Sequence, residues 1–258
     1  MSATDLAILG GEPEFAEPLH VGRPNVGDVD RFLARVRRIL DAGWLKNDGP
    51  CVQEFEQRIA DLTGVRHCVA MSSGTAALEI AGRALGLVGE VILPSFTFVA
   101  TAHALMWQGV RPVFCDIDPG SHQIDPGALE ALINHRTSGI LGVHLWGRPC
   151  DVDALTEIAR RHGLPLMFDA CHALGVERHG RRVGGSGACE VFSFHATKFL
   201  NTLEGGAVVT NDSELAEKLR FMRKLRLLRR GLRRAPGDER QDERDLRRHG
   251  AHAARGAG

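Results

Sequence analysis

A lysine in a glycine-flanked segment is the first residue here that could do covalent chemistry. Lys198 ends the run Ser193-Phe194-His195-Ala196-Thr197-Lys198, after an apolar stretch and before Glu204-Gly205-Gly206. Partial removal from water favours the neutral amine, which is the form that adds to a carbonyl group to give a Schiff base. The alternative is a solvated surface lysine, because most lysine side chains are exposed.

An aspartate at the end of a second apolar stretch offers complementary chemistry. Asp169 follows residues 165–168 and begins Asp169-Ala170-Cys171-His172-Ala173. A carboxylate there can accept a hydrogen bond from a protonated pyridine nitrogen, which makes pyridoxal phosphate an electron sink. An aspartate at a strand end is also typical of a helix N-cap or a metal ligand. His172 could contact the same ring, or be a hydrogen-bonded histidine at a helix start.

A serine- and glycine-containing turn could bind an anion. The segment Ser72-Ser73-Gly74-Thr75-Ala76-Ala77-Leu78 lies between a predicted strand and a predicted helix. Free backbone N–H groups and the positive end of a helix dipole make such a turn suitable for phosphate. An ordinary Ser or Thr N-cap explains the same residues equally well.

These residues lie within a regular alternation of short apolar runs and helical periodicity. The pattern predicts an entry helix near 29–40 and a second at 52–62. Strands are predicted at 67–71, 90–93, 112–115, 140–143, 165–168, 190–194 and 207–210, and further helices at 75–85, 97–107, 126–133 and 153–162. This alternation indicates an α/β fold with a mainly parallel sheet covered by helices on both faces. Ligands bind such sheets at the carboxyl ends of the strands, where the three motifs fall.

Composition limits the class of protein. The chain has 258 residues, 43% of them hydrophobic and 25% charged, which is typical of a globular protein. No apolar run reaches the roughly 20 residues of a membrane span, and no signal-peptide pattern is visible, so we expect a cytoplasmic protein without a membrane partner. The six cysteines are widely spaced without a C-x-x-C pair, which predicts mostly buried thiols rather than disulfides or a metal site.

Six motifs in unbroken order make the resemblance to a known family specific. The chain resembles the DegT/DnrJ/StrS sugar aminotransferases, which depend on pyridoxal 5'-phosphate and have fold type I, from about Ile8 to Arg223. The motifs are Ser73-Gly74-Thr75, Pro94-Ser95-Phe96-Thr97-Phe98-Val99-Ala100-Thr101, His144-Leu145-Trp146-Gly147, Asp169-Ala170-Cys171-His172-Ala173, Ser193-Phe194-His195-Ala196-Thr197-Lys198 and Glu204-Gly205-Gly206.

The resemblance implies a role for each matching residue. Lys198 would bind the cofactor covalently and move the proton between substrate and cofactor, and Asp169 would pair with the pyridine nitrogen. The remaining cofactor-binding residues are Gly74, Thr75 and Ser193 at the phosphate, Phe98 stacked on the ring and His172 on its other side. Phe98 could instead be plain core packing. A lysine at 198 also argues against the family's sugar dehydratases, which have histidine there.

The resemblance further implies a ping-pong transamination. An amino acid, expected to be glutamate, would give its amino group to the cofactor, which would then aminate a keto-sugar nucleotide in a homodimeric enzyme without a nucleic-acid partner. A desulfurase of the same fold is one alternative, although no reactive cysteine on a loop is identified for it. A non-catalytic regulatory relative or a basic nucleic-acid binder is the other.

The C-terminal residues depart from the family. We divide the chain into an N-terminal segment at 1–25, a cofactor-binding large domain at 26–223 and an arginine-rich tail at 224–258, with the small C-terminal domain largely missing. From Arg220 onward there are 13 Lys/Arg and 5 Asp/Glu. Permitted codons read from the second base of Lys224 include GTNGKMNEISAAMGL, which resembles the family's continuation. We therefore hypothesise a one-base insertion at that codon, with the natural chain continuing past 258, and keep an inactive truncated chain as the alternative to an active enzyme.

Overall fold

The computed structural model describes residues 6–17, 20, 22, 24–46 and 48–224. The arginine-rich tail therefore lies outside the described residues, apart from Lys224. The helices are α1 (Val29–Ala42), α2 (Pro50–Thr63), α3 (Gly74–Ala84), α4 (Val99–Met106), α5 (Pro126–Ala131), α6 (Val152–His162) and α7 (Ser213–Arg223). The strands are β1 (His67–Met71), β2 (Glu90–Pro94), β3 (Arg111–Cys115), β4 (Thr137–Val143), β5 (Leu166–Asp169), β6 (Glu177–Arg178), β7 (Arg181–Arg182), β8 (Cys189–Ser193) and β9 (Gly206–Thr210).

A seven-stranded sheet forms the centre of the fold, in the order β1-β9-β8-β5-β4-β2-β3. The pairs β2·β3, β2·β4, β4·β5 and β5·β8 are parallel. Strand β9 is antiparallel to both of its neighbours, β1 and β8. Within this seven-stranded sheet, all strands except β9 therefore run in one direction, which confirms the predicted mainly parallel sheet.

Helices cover both faces of this sheet, as the sequence pattern predicts. On one face, buried residues of α3, α4 and α7 pack on the strands; they include Ala77, Leu105 and Leu219. On the other face, α2 contributes Ile59 and Ala60 to a second cluster, and α5 and α6 contribute Leu129, Leu155 and Ile158 to a third. Residues alternate between the two faces along a strand, so each central strand must be apolar on both sides.

Several features differ from the sequence-based expectations. Helix α4 begins at Val99, so Thr97 and Phe98 precede it instead of lying within it. The helix α7 and the two-stranded β6–β7 sheet were not predicted, and neither was the reversed direction of β9. Cys68, Cys115, Cys150 and Cys189 are buried, and all six thiols are free, which confirms mostly buried cysteines. None of the helices among the described residues is long and apolar enough to cross a membrane.

Candidate functional site

One edge of the sheet carries all the predicted site residues. The parallel strands β1, β5 and β8 end there, and each is followed or closed by one of the motifs around Gly74, Asp169 and Lys198. Because β9 is reversed, its first residue, Gly206, lies at the same edge. The loop from Phe194 to Gly205 therefore leaves and re-enters the sheet on adjacent strands beside the other two motifs.

A cavity of about 460 Å³ opens at this edge. Its lining contains each of the seven residues predicted from the sequence: Gly74, Thr75, Phe98, Asp169, His172, Ser193 and Lys198. Thr97, His144, Cys171 and Glu204 also contribute to the wall. The structure thus brings together residues that are separated by more than 120 positions in sequence.

The turn before α3 forms a compact wall with free backbone donors. Ser73 caps the helix, because its Oγ accepts a hydrogen bond from Ala76 N at 3.1 Å, which bears out the N-cap interpretation. Its carbonyl oxygen accepts from Ala77 N, which leaves the N–H groups of Gly74 and Thr75 without a partner inside the helix. The N-cap is compatible with anion binding, because the cap orders the backbone donors that an anion would meet; anion binding at this turn stays a prediction.

Glycine is required at two positions of this wall. A Cβ atom at Gly74 would lie 2.9 Å from Ser193 Cβ and 3.1 Å from Cys171 Sγ. A Cβ atom at Gly206 would lie 2.3 Å from the carbonyl oxygen of Ser73, which is closer than van der Waals contact allows. The absence of a side chain at these two positions lets the turn before α3 lie directly against the end of β8 and the start of β9.

Asp169 is buried, with 6% of its surface exposed, and both carboxylate oxygens accept hydrogen bonds. Oδ2 accepts from Thr101 Oγ1 at 2.8 Å, and Oδ1 accepts from Cys171 N at 3.1 Å. No helix begins directly after Asp169, because the next element is the strand β6, so the helix N-cap interpretation is wrong. Among the described residues no group of three or more His, Cys, Asp or Glu could hold a metal ion, which removes support for the metal-ligand interpretation.

His172 lies between the cavity wall and a strained neighbouring turn. Its Nδ1 accepts a hydrogen bond from Trp146 N at 3.3 Å, and Trp146 has a φ of 53°, in the left-handed region. Partial burial and the nearby charge of Lys198 lower the pKa of His172, whereas Asp169 acts in the opposite direction. No helix starts at His172, so the accepted hydrogen bond orients the ring without a helix-capping function.

Lys198 lies half-buried on a loop that is fastened at several points. Its backbone N donates to His195 O at 2.8 Å, and Thr202 N donates to Phe194 O at 2.9 Å. Asn201 Nδ2 donates to the carbonyl oxygen of Asn25 at 2.8 Å, which joins the loop to the N-terminal segment. The structure therefore does not support the alternative of a solvated surface lysine, because Lys198 is half-buried and lines the cavity.

Phe98 extends into solvent at the cavity mouth rather than into the core. It is 64% exposed and lies at the N-cap position of α4. The core-packing interpretation is therefore wrong. An exposed aromatic face beside a polar cavity is suited to stacking on a planar ring.

Two residues that contact the site were not assigned roles from the sequence. Thr101 is fully buried on α4 and donates a hydrogen bond to Asp169, and Thr97 is hydrogen-bonded in turn to Thr101. Both belong to the motif quoted above. A hydroxyl on the buried face of an apolar helix is the signal that could have identified Thr101, because buried polar groups need a partner.

Comparisons with known proteins identify relatives of this chain. The profile of the "DegT/DnrJ/EryC1/StrS aminotransferase family" matches residues 28–242, so the match extends past Arg223, where the resemblance read from the sequence ends. The chain is 42% identical over 190 residues to GDP-perosamine synthase of Caulobacter vibrioides, covering 73% of this chain and 51% of that protein. It is 41% identical over 203 residues to dTDP-4-amino-4,6-dideoxy-D-glucose transaminase of Shigella dysenteriae, covering 79% and 55%.

Solved structures give the same result for the fold. The structure of DesI in the presence of its TDP-sugar product matches with a TM-score of 0.83 and 53% identity, over 88% of this chain and 58% of that one. Helicobacter pylori PseC, an aminotransferase involved in the biosynthesis of pseudoaminic acid, matches with a TM-score of 0.74 and 34% identity, over 86% and 58%. The chain spans about half the length of the curated relatives it matches.

Proposed function

Because this chain belongs to the DegT/DnrJ/EryC1/StrS aminotransferase family, with an α/β fold of type I, we propose that its cavity binds pyridoxal 5'-phosphate and serves amino transfer to a keto-sugar nucleotide. The observation that carries this proposal is the convergence of an amine, a buried carboxylate and an anion-binding turn in one cavity. Lys198, Asp169 and Gly74 represent these three groups.

The cavity has the chemical features that the cofactor needs. Gly74, Thr75 and Ser193 line the same cavity, so the two backbone N–H groups and the serine hydroxyl would supply the hydrogen-bond donors for the phosphate. Asp169 presents a carboxylate that is already held by two donors, which suits an aromatic nitrogen that must stay protonated. The exposed ring of Phe98 supplies a stacking surface.

Three residues of the cavity then each have a definite role in this proposal. When bound, the cofactor withdraws electrons from the substrate carbon, so a proton can leave that carbon. Lys198 holds the cofactor through its Nζ atom and, once released, takes up and returns that proton. Asp169 fixes the charge of the ring nitrogen. His172, whose lowered pKa keeps it neutral near pH 7, lines the ring without adding positive charge.

The proposed substrates follow from the relatives. Their printed names include a GDP-perosamine synthase and a dTDP-amino-sugar transaminase, and Bacillus subtilis SpsC, 43% identical over 192 residues, is a "Spore coat polysaccharide biosynthesis protein". These names support a nucleotide-linked sugar substrate and a place in amino-sugar or polysaccharide biosynthesis. The keto form of the acceptor, glutamate as the amino donor and antibiotic-sugar biosynthesis are further parts of the proposal. A homodimer in the full-length protein and a cytoplasmic location are part of the same proposal.

The experiment that tests this proposal measures covalent cofactor binding by the 258-residue chain. We expect a visible absorbance band on adding pyridoxal phosphate and, after borohydride reduction, a peptide carrying the cofactor at Lys198. Lys198→Ala removes both signals, because only an amine at this position reaches the cavity. Lys46→Ala, an exposed lysine remote from this cavity, serves as the matched control.

Two results contradict the proposal. If the wild-type chain shows no band although circular dichroism shows an intact fold, the protein is better explained as a non-catalytic relative. Reduction at a different lysine with unchanged absorbance in Lys198→Ala rejects the assignment of Lys198. Where the band forms, its loss on adding glutamate, with release of 2-oxoglutarate, tests the donor half of the reaction.

A further inference from the structure

A buried threonine lies directly behind the carboxylate of Asp169. Thr101 is in the first turn of α4 and has no exposed surface. Its Oγ1 lies 2.8 Å from Asp169 Oδ2 and 2.8 Å from Thr97 Oγ1. Thr97 lines the cavity, whereas Thr101 does not. The three side chains therefore form a chain of hydrogen bonds that runs from the cavity wall to the back of the carboxylate.

The direction of these hydrogen bonds follows from their end point. A carboxylate has only acceptor atoms, so the single proton of the Thr101 hydroxyl is donated to Asp169. Thr101 must then accept from Thr97, and the Thr97 hydroxyl proton points inward, away from the cavity. Both hydroxyl dipoles therefore point towards the carboxylate, and this alignment strengthens the hydrogen bond from Thr101 to Asp169.

The helix adds a contribution of the same sign. Because Thr101 lies in the first turn of α4, the carboxylate that it holds lies against the positive end of that helix. The N–H of Cys171 satisfies the other oxygen. With Oδ2 fixed by Thr101 and Oδ1 by Cys171, the carboxylate plane has a defined orientation.

We propose that Thr101, supported by Thr97, is a positioning residue that fixes the charge and orientation of Asp169 towards the cofactor's ring nitrogen. The inference rests on the proposed function and extends it to two residues that act through Asp169. The same turn also places Phe98 at the cavity mouth. The start of α4 therefore sets both the ring-stacking surface and the charge that faces the ring nitrogen.

The test compares two ligands that differ only at the atom Asp169 addresses. The probes are pyridoxal phosphate and its deaza analogue, in which a C–H group replaces the ring nitrogen. We expect Thr101→Val to raise the Kd for pyridoxal phosphate about tenfold, since a hydrogen bond to a charged group is lost. The Kd for the deaza analogue should change less than about twofold, because that ligand makes no use of the carboxylate.

Conservative variants separate positioning from packing. Thr101→Ser keeps the hydroxyl and should restore the Kd for pyridoxal phosphate to near the wild-type value. Thr97→Val, one bond further away, should show a smaller loss of the same kind. An equal loss of affinity for both probes in Thr101→Val, or no rescue by serine, overturns the proposal.

A measurement without cofactor keeps the inference distinct from the proposed function. In a double-mutant cycle of Thr101→Val and Asp169→Asn, urea unfolding should reveal coupling of about tenfold in the equilibrium constant. If the wild-type chain binds neither probe, the proposed function fails and this cycle alone decides on the inference. Additive effects in the cycle overturn it.

Discussion

Two buried carboxylates lie on the neighbouring strands β5 and β8, and they face opposite sides of the sheet. In the β5·β8 register Asp169 pairs with Val191, and Phe168 pairs with Glu190. Asp169 therefore points to the α3/α4 side, where the cavity lies, and Glu190 points with Phe168 to the α5/α6 side. Asp169 is 6% exposed and Glu190 is fully buried.

The partners of the two acids differ in kind. Glu190 Oε1 accepts from Ser186 N at 2.8 Å, but Oε2 and His144 Nε2 are 3.4 Å apart and neither makes a hydrogen bond to a described residue. His144 Nδ1 accepts from Cys150 N at 3.2 Å, so its ring proton resides on Nε2 and faces Glu190. Burial is common to both acids, whereas Asp169 differs from Glu190 in that both of its carboxylate oxygens accept hydrogen bonds and it lines the cavity.

Removing the enclosed acid should have the largest effect on folding. We expect Glu190→Ala to lower the free energy of unfolding by about 3–5 kcal/mol, because it leaves a cavity in the core and removes the acceptor of the Ser186 N–H group. Urea denaturation of the cofactor-free chain measures this. Glu190→Gln, which retains the volume and an acceptor for Ser186 N, should cost less. A loss below about 1 kcal/mol for the alanine variant would show that the buried carboxylate adds little.

Neutralising the cavity-facing acid should affect ligand binding instead. We expect Asp169→Asn to weaken pyridoxal phosphate binding by about 1.5–3 kcal/mol, or roughly 10- to 150-fold in Kd, because a charge-assisted hydrogen bond is lost. Equilibrium dialysis measures the Kd. Glu190→Gln is the matched control and should leave the Kd close to wild type. Equal losses in both variants would erase the distinction between the two acids.

The tight wall between β1 and β9 allows a sharper test of the cavity side. Gly206→Ala places a Cβ atom 2.3 Å from Ser73 O, so the strand or the turn must move. We expect a loss of about 1–3 kcal/mol in stability, measured by urea denaturation, together with weaker cofactor binding. Gly185→Ala, where the nearest atom is 3.7 Å away, is the control. Cofactor affinity unchanged in Gly206→Ala would argue against a phosphate site at this turn.

The smallest effect concerns pH. Burial and Lys198 lower the pKa of His172 in the folded protein below the ordinary value of 6.5. The unfolded chain therefore binds the proton more readily, so the contribution of His172 to stability is present above pH 6.5 and is lost as the pH falls below it. Unfolding free energies between about pH 5 and 8 should show this slope, and His172→Gln should reduce it. The exposed His103→Gln control should leave the slope unchanged; an unaltered slope in His172→Gln would contradict the assignment.

The local sequence was sufficient to predict Asp169, Lys198 and Gly74 as neighbours, because each follows an apolar run and parallel strands end at one edge. The partnership of Thr101 with Asp169 could not be predicted in the same way, since it depends on where the first turn of α4 lies relative to the end of β5. Phe98 was placed inside a helix because the apolar periodicity extends to Thr97, yet the helix begins only at Val99.

The reversed strand β9 carried a signal that was available in the sequence. Residues 194–205 separate β8 from β9, which is the shortest length for a crossover between parallel neighbours, and such a crossover usually contains a helix. The run has no helical periodicity and ends in Gly205, which favours an antiparallel return. The burial of Glu190 had no such signal, because an acid at a strand start is commonly solvated.

The pairing of β1 with β9 has a consequence for the order of folding. The lysine loop lies between strands that are close in sequence, so the β8–β9 hairpin can form early. The pairs His67–Thr210 and Met71–Gly206 join residues separated by more than half of the chain, and closing so long a loop is slow. Ser73 and Gly74 meet Gly206 and Ser193 only when that pairing is complete. We therefore expect the wall that these residues form to be among the last features to assemble, so that cofactor binding would report the end of folding rather than nucleate it.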